Sequence, residues 1–162
     1  MTFPEPHANN NYLLDHIVLL QSSYRKLTGK EIGNLGLQGK DLAKAIFEAP
    51  FVVLSHDTRS DPIFTYANLT AQTLFEMDWS ELTTLPSRRS AELPIPNQEE
   101  RANLLATVTR QGYIENYAGV RISKTGRRFM VQEATVWNLI DEQKKYHRQA
   151  AMFSRWQYLS SP

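Results

Sequence analysis

The chain has 162 residues, 41% of them hydrophobic, which suits one core and argues against disorder. Its 18 basic and 17 acidic side chains leave a formal charge of +1 and are spread along the chain, so no basic stripe is available for a nucleic-acid backbone. The absence of cysteine excludes disulfides, thiolate nucleophiles, cysteine-ligated zinc, iron–sulfur clusters and cysteine-linked flavin.

Residues 1–11 read as a polar, disordered leader, and residues 12–48 as N-terminal helices. The leader lacks the basic-then-apolar order of a signal peptide, and no apolar run is long enough to span a bilayer. The expected protein is soluble and cytoplasmic, with no membrane contact. Asn9, Asn10 and Asn11 offer caps for a helix from Tyr12 to Leu27. Its apolar residues Leu13, Ile17, Leu20, Tyr24 and Leu27 form one stripe, widened by Leu14, Val18 and Leu19, and Thr28-Gly29 supplies the stop. Two readings of that stripe stay open: packing on the parent domain, or a seam for self-association into a homodimer. Asp41 to Glu48 is a short helix that Pro50 prevents from continuing.

Phe51 to Ser55 is an apolar, β-rich run, and Ile63 to Tyr66 should pair with it across the polar turn His56 to Pro62. Asn68 caps a helix with Ala71, Leu74 and Phe75 inward, and Trp79, Leu82 and Leu85 continue in a second turn. Leu85 to Pro96 reads as an irregular loop. Asn97 with Glu100 starts a helix whose face is Leu104, Leu105 and Val108, stopped by Gly112. Three strands follow: Tyr113 to Ser123, Arg127 to Ile140 and Tyr146 to Trp156. On the first, alternation puts Ile114, Ala118, Val120 and Ile122 on one face and Tyr113, Glu115, Tyr117 and Arg121 on the other. Helices segregated between two blocks of strands indicate an α+β fold with an antiparallel sheet, one face covered by the middle helices. A small pocket would sit in the gap between them.

This order, with Phe51-Val-Val-Leu-Ser-His56, Tyr66-Ala-Asn68 and Gly126-Arg-Arg-Phe129 in these places, resembles the PAS sensor fold. Ala49-Pro-Phe-Val-Val-Leu-Ser-His56, Asp61-Pro-Ile-Phe64, Leu74-Phe-Glu-Met-Asp-Trp79 and Leu85-Pro-Ser-Arg88 are similar to the PAS-related MEKHLA family. So are Ser90-Ala-Glu92, Gly119-Val-Arg-Ile-Ser123 and Ala134-Thr-Val-Trp-Asn-Leu139. That family occurs as stand-alone bacterial proteins, the type expected here, and at the C-terminus of plant class III homeodomain–leucine-zipper regulators. The resemblance implies a PAS-like five-stranded antiparallel sheet over 49–157, with an N-terminal helical extension and a tail at 158–162. It also implies a regulatory role, with control of dimerisation, and no catalytic residues. The DNA-binding and zipper segments of the plant proteins are absent, so transcriptional function does not carry over.

No residue set reads as an active site. Ser55-His56-Asp57 is a triad in sequence only, because neighbours on an extended chain point to opposite faces. His56 reads as a strand-end histidine bonding the turn, or as a contact at a pocket rim. Ser23-x-x-Lys26 with Lys124-Thr-Gly126 lacks the third element of the β-lactamase signatures, and Gly33 to Lys40 has the wrong spacing for a phosphate loop. His7, His16, His56 and His147 show no metal spacing. Haem-binding PAS domains hang the iron from a histidine of the long helix, and Gln98 to Gln111 contains none. Histidine-ligated haem is therefore disfavoured together with cysteine-linked flavin, and the cofactor is left unknown.

Candidate pocket residues are Phe75, Trp79 and Trp137 as aromatic walls, Arg88 (with Arg89) as a fork for a carboxylate or phosphate, and Tyr117, Arg121 and Glu133 as polar groups. Arg121 and Glu133 either face the helices, paired or on a ligand, or form an outward ion pair. Asn138 and Gln149 either read a planar ligand or satisfy solvent and backbone groups. The expected function is a non-catalytic sensory domain that binds a small molecule non-covalently, dimerises, or does both. The alternative is a structural protein–protein interaction module with a filled core and no ligand.

Overall fold

Two blocks of antiparallel strands meet edge to edge in the computed structural model, which describes residues 4–91, 95–143 and 145–160. β1 (Val52–Asp57) and β2 (Phe64–Ala67) make the expected hairpin. β3 (Tyr113–Ile122), β4 (Arg128–Ile140) and β5 (Tyr146–Phe153) make the expected meander. β1 pairs with β5, which gives the order β2-β1-β5-β4-β3.

The expected count of five strands becomes six among the described residues. The run expected from Tyr146 to Trp156 breaks at Ser154, and β6 (Arg155–Tyr158) continues beside the first half of β4, Phe129 to Gln132. The break lies where Glu133 of β4 takes a left-handed conformation (φ 53°). An extra residue on one strand bends it, and its partner cannot run straight past.

Helices cover both faces. α3 (Leu69–Phe75), α4 (Trp79–Leu82) and α5 (Ile95–Gln111) follow β2 in sequence. α3 and α5 pack on the face carrying Val52, Leu54, Phe129, Val131, Val136 and Phe153. α1 (Leu14–Thr28) and α2 (Gly39–Phe47) lie on the opposite face, over Val53, Tyr66, Trp137 and Leu139. Gly29 ends α1 with φ 74° and donates its N–H to the Arg25 carbonyl at 2.8 Å, as the Thr28-Gly29 stop requires. The asparagines do not cap α1. His7 instead caps a short 3-10 turn at Ala8–Asn10, and Leu13 precedes α1 with no side-chain cap.

Asn68 joins these layers. Its Oδ1 accepts from Val53 N and, as the N-cap of α3, from Ala71 N, both at 3.1 Å. Its Nδ2 donates to the carbonyls of Ile46 (3.0 Å) and Phe51 (2.7 Å). The side chain is fully buried, and four backbone groups of three segments depend on it. Glu92 and the side chains of Asn97 and His147 lie outside the described residues. No helix of the described residues is long and apolar enough to cross a membrane.

Candidate functional site: a cavity between α5 and the sheet

A cavity of about 80 Å³ separates α5 from the sheet. Its apolar wall includes Leu54, Phe75, Leu104, Val131, Val136 and Phe153, and its polar lining includes His56, Ser87, Ser90, Arg101, Tyr117 and Arg121. The two kinds arrive by different routes. The apolar residues are the inward positions of β1, β4, β5, α3 and α5. The serines come from a 3-10 turn, Ser87–Ser90, inside the loop expected to be irregular.

β3 supplies Tyr117 and Arg121 because it does not alternate as expected. Its register with β4 shifts on both sides of Tyr117, and Asn116 is left-handed at φ 57°. Tyr113 consequently packs on the α1 side, whereas Ile114 and Tyr117 pack toward α5. The Tyr117 ring then folds over Gly119, where a Cβ would lie 2.2 Å from the phenol oxygen. The Tyr117 hydroxyl donates to Glu100 Oε1 at 2.5 Å, and Arg121 Nη2 donates to the same hydroxyl at 3.3 Å. Burial pushes the phenol above its usual range against the opposing pull of Arg121, so it stays a neutral donor.

Arg101 is 8% exposed and donates to the Ser87 hydroxyl. Burial first, and then the neighbouring charge of Arg121, lower its guanidinium to about 10. It remains charged at neutral pH. His56 points inward from β1, and its Nδ1 donates to the Asp57 carbonyl at 2.8 Å. A carbonyl can only accept, so Nε2 of the neutral ring is an acceptor. Burial, with a smaller push from Arg101, lowers this histidine to about 4 despite Asp57. The site thus offers an apolar floor, two permanent cations, hydroxyls and one neutral acceptor.

Three of the nine expected pocket residues line this cavity: Phe75, Tyr117 and Arg121. The other six do not. Trp137 faces α1, donating Nε1–H to the Leu20 carbonyl at 3.3 Å with its ring 4.9 Å from Tyr24. Trp79 packs edge-on against Tyr66 at 5.6 Å. Arg88 stands outside, about half exposed, on Asp61 at 3.1 Å, and Arg89 is exposed. Glu133, at the β4 bulge, is exposed and lies 3.5 Å from Arg155, so the expected Arg121–Glu133 pair does not form.

Asn138 and Gln149 take the backbone-satisfying alternative. Gln149 Nε2 donates to Asn138 Oδ1 (3.1 Å), Thr109 Oγ1 (3.0 Å) and the Leu105 carbonyl (3.2 Å). Asn138 Nδ2 donates to the Val108 carbonyl at 2.9 Å. Together they fasten the second half of α5 to the sheet beside the cavity.

The expected self-association stripe is used within the chain. Ile17, Leu20 and Tyr24 are buried against the sheet, and Leu13 and Leu27 pack at the edge of that cluster. The residue left outward is Val18, at 54% exposure. A seam through the stripe, or through the sheet face beneath it, would need surfaces that α1 and β4 already give to each other. Below α1, His16 meets Ser55 Oγ at 3.0 Å and Ser55 meets Thr65 Oγ1 at 2.8 Å. Ser55 and His56 therefore point to opposite faces, as the triad argument requires. Burial, then the charge of Arg148, lowers His16 to about 3. Among the described residues, no three histidine or acidic side chains gather as a metal site would require.

Arg101 was missed at the sequence level although a signal was present. Arg101, Leu104, Leu105 and Val108 follow the i, i+3, i+4, i+7 spacing of a buried helix face, so a cation occupies an inward position.

The MEKHLA domain family model matches residues 14–158. The homeobox-leucine zipper protein ATHB-14 of Arabidopsis thaliana is 28% identical over 102 residues, which cover 63% of this chain and 12% of that protein. The chain thus spans about an eighth of that relative's length. The PAS domain of a protein from Colwellia psychrerythraea superposes with a TM-score of 0.58 and 16% identity, over 74% of this chain and 95% of that one. A light-oxygen-voltage domain studied with a flavin analogue gives a TM-score of 0.57 and 18% identity, over 74% and 85%. At these identities the structural likeness shows the fold alone, and that fold is PAS-like. With nearly its whole length matched, the chain belongs to the MEKHLA domain family.

Proposed function

We propose that this chain is a non-catalytic sensory module that binds a small molecule, without a covalent bond, in the cavity between α5 and the sheet. The observation carrying this reading is an apolar hollow in a PAS-like fold with several polar groups converging on it, the usual character of a ligand site. A cavity of about 80 Å³ is far below the roughly 300–1,000 Å³ of sites for drug-sized ligands, which favours a small metabolite over a flavin. A ligand here touches Arg101, Leu104 and Leu105 of α5, so its affinity couples to how closely α5 sits on the sheet.

Native mass spectrometry of freshly purified protein, with equilibrium dialysis against small-metabolite pools, tests this. Ala134→Leu and Ala151→Val, which place carbon in the cavity, serve as controls. The expected result is a retained or exchangeable small molecule that both variants lose while staying folded. Equal binding by the folded variants and the parent chain would remove the cavity as the site, and no bound molecule in any sample would overturn the reading.

A further inference from the structure

We infer that the cavity's ligand is a short-chain monocarboxylate, its carboxylate held by Arg101 and Arg121 and its apolar chain lying on the Leu54–Phe75–Val131 floor. This rests on the ligand-site reading above and adds the chemical class.

The two guanidiniums line one small cavity, and the charge of Arg121 adds to the cost of burying Arg101. Among the described residues, no carboxylate lies within ion-pair distance of either. Nearby acids have other donors, and Glu100 reaches Arg121 only through the Tyr117 hydroxyl. Glu100 takes the Tyr117 hydroxyl, Asp61 takes Arg88, and Asp57 takes Arg59 at 2.6 Å. Arg101 donates to one serine hydroxyl, and Arg121 to the Val120 carbonyl (2.8 Å) and Tyr117. A guanidinium carries five N–H donors, so both forks keep donors to spare for an anion.

The remaining lining limits that anion. A second carboxylate would be pressed onto Leu54, Phe75, Val131 and Phe153 without a donor, which disfavours dicarboxylates. An inorganic anion would leave that floor unfilled. Size keeps the chain short: the cavity is about half the roughly 150 Å³ of a site that accommodates benzene, which excludes chains longer than butyrate's. Neutral His56 adds no third charge and offers Nε2 to any hydroxyl of the ligand.

The test is isothermal titration of the full chain with butyrate, its neutral isostere butyramide, succinate and inorganic phosphate. The same series is run on Arg121→Gln and Arg101→Met, each checked for folding by circular dichroism. Butyrate is expected to bind saturably, with butyramide, succinate and phosphate at least tenfold weaker. Both variants should lose butyrate at least tenfold, with Arg101→Met melting no lower than the parent because an unneutralised buried charge has been removed. Equal binding of butyramide and butyrate would overturn the carboxylate inference and leave the cavity standing as a ligand site. Preference for phosphate or succinate would overturn it in favour of another anion. Should neither butyrate nor butyramide bind, and metabolite pools also leave nothing on the protein, both readings fall together.

Discussion

Replacing Gln149 by alanine separates a structural clasp from a ligand contact. The side chain is 2% exposed, and its Nε2 serves Asn138 Oδ1, Thr109 Oγ1 and the Leu105 carbonyl. An amide nitrogen has two hydrogens, so about two net bonds at roughly 1 kcal/mol each are lost. Asn138 Oδ1 then loses the Gln149 donor while still buried, at about 1–3 kcal/mol, and one methylene of packing adds about 0.8 kcal/mol. The sum is about 4–6 kcal/mol in urea unfolding at 25 °C. Hydrogen exchange should accelerate first in α5, which the clasp fastens, and least in α1 on the other face. A variant as stable as its parent but unable to bind a ligand would refute this reasoning and return Gln149 to the pocket.

Three further expectations follow from the same geometry. Both buried histidines are held neutral, so protons bind the unfolded chain preferentially below about pH 6.5, the ordinary histidine value. Stability is fully present above that pH and falls by about 1.4 kcal/mol per pH unit for each histidine. The loss levels off near pH 4 for His56 and near pH 3 for His16. Chemical unfolding at pH 7, 6 and 5 measures the slope, His16→Asn and His56→Gln should each flatten it, and no change over that range contradicts it. Leu20→Ala should cost about 3 kcal/mol with no change in mass by light scattering, since its methyls fill the α1–sheet core. A halved mass at unchanged stability would make the stripe an inter-chain seam after all. Gly119→Ala should push the Tyr117 ring off Glu100 for about 1 kcal/mol, seen as tyrosine ring shifts in NMR spectra. An unshifted ring would contradict the close approach.

The order of helices and strands was legible because each boundary carries its own local chemistry. Thr28-Gly29 ends α1, Asn68 caps α3, and Lys124-Thr-Gly126 turns β3 into β4. Face assignments on β3 and β4 were not, because left-handed Asn116 and Glu133 interrupt the period of two. Asparagine tolerates that conformation and gave a faint cue, whereas glutamate gave none. Trp137, expected among the aromatic walls of the pocket, lies under α1 instead. The α1 stripe was read correctly as a packing face, but spacing cannot say whether the partner is the same chain or another one. Arg101 was legible too, because its spacing to Leu104 and Val108 marks an inward position.

Ligand binding between α5 and the sheet is tested most directly by a methyl-resolved NMR titration of the full chain with butyrate and, separately, butyramide. At least butyrate is expected to shift the methyls of Leu104, Leu105, Val131 and Val136 saturably, while those of Ile17, Leu20 and Val53 across the sheet stay in place. Saturable shifts on the α1 face instead would contradict a ligand site between α5 and the sheet, and none at the cavity methyls with either compound would contradict the carboxylate inference.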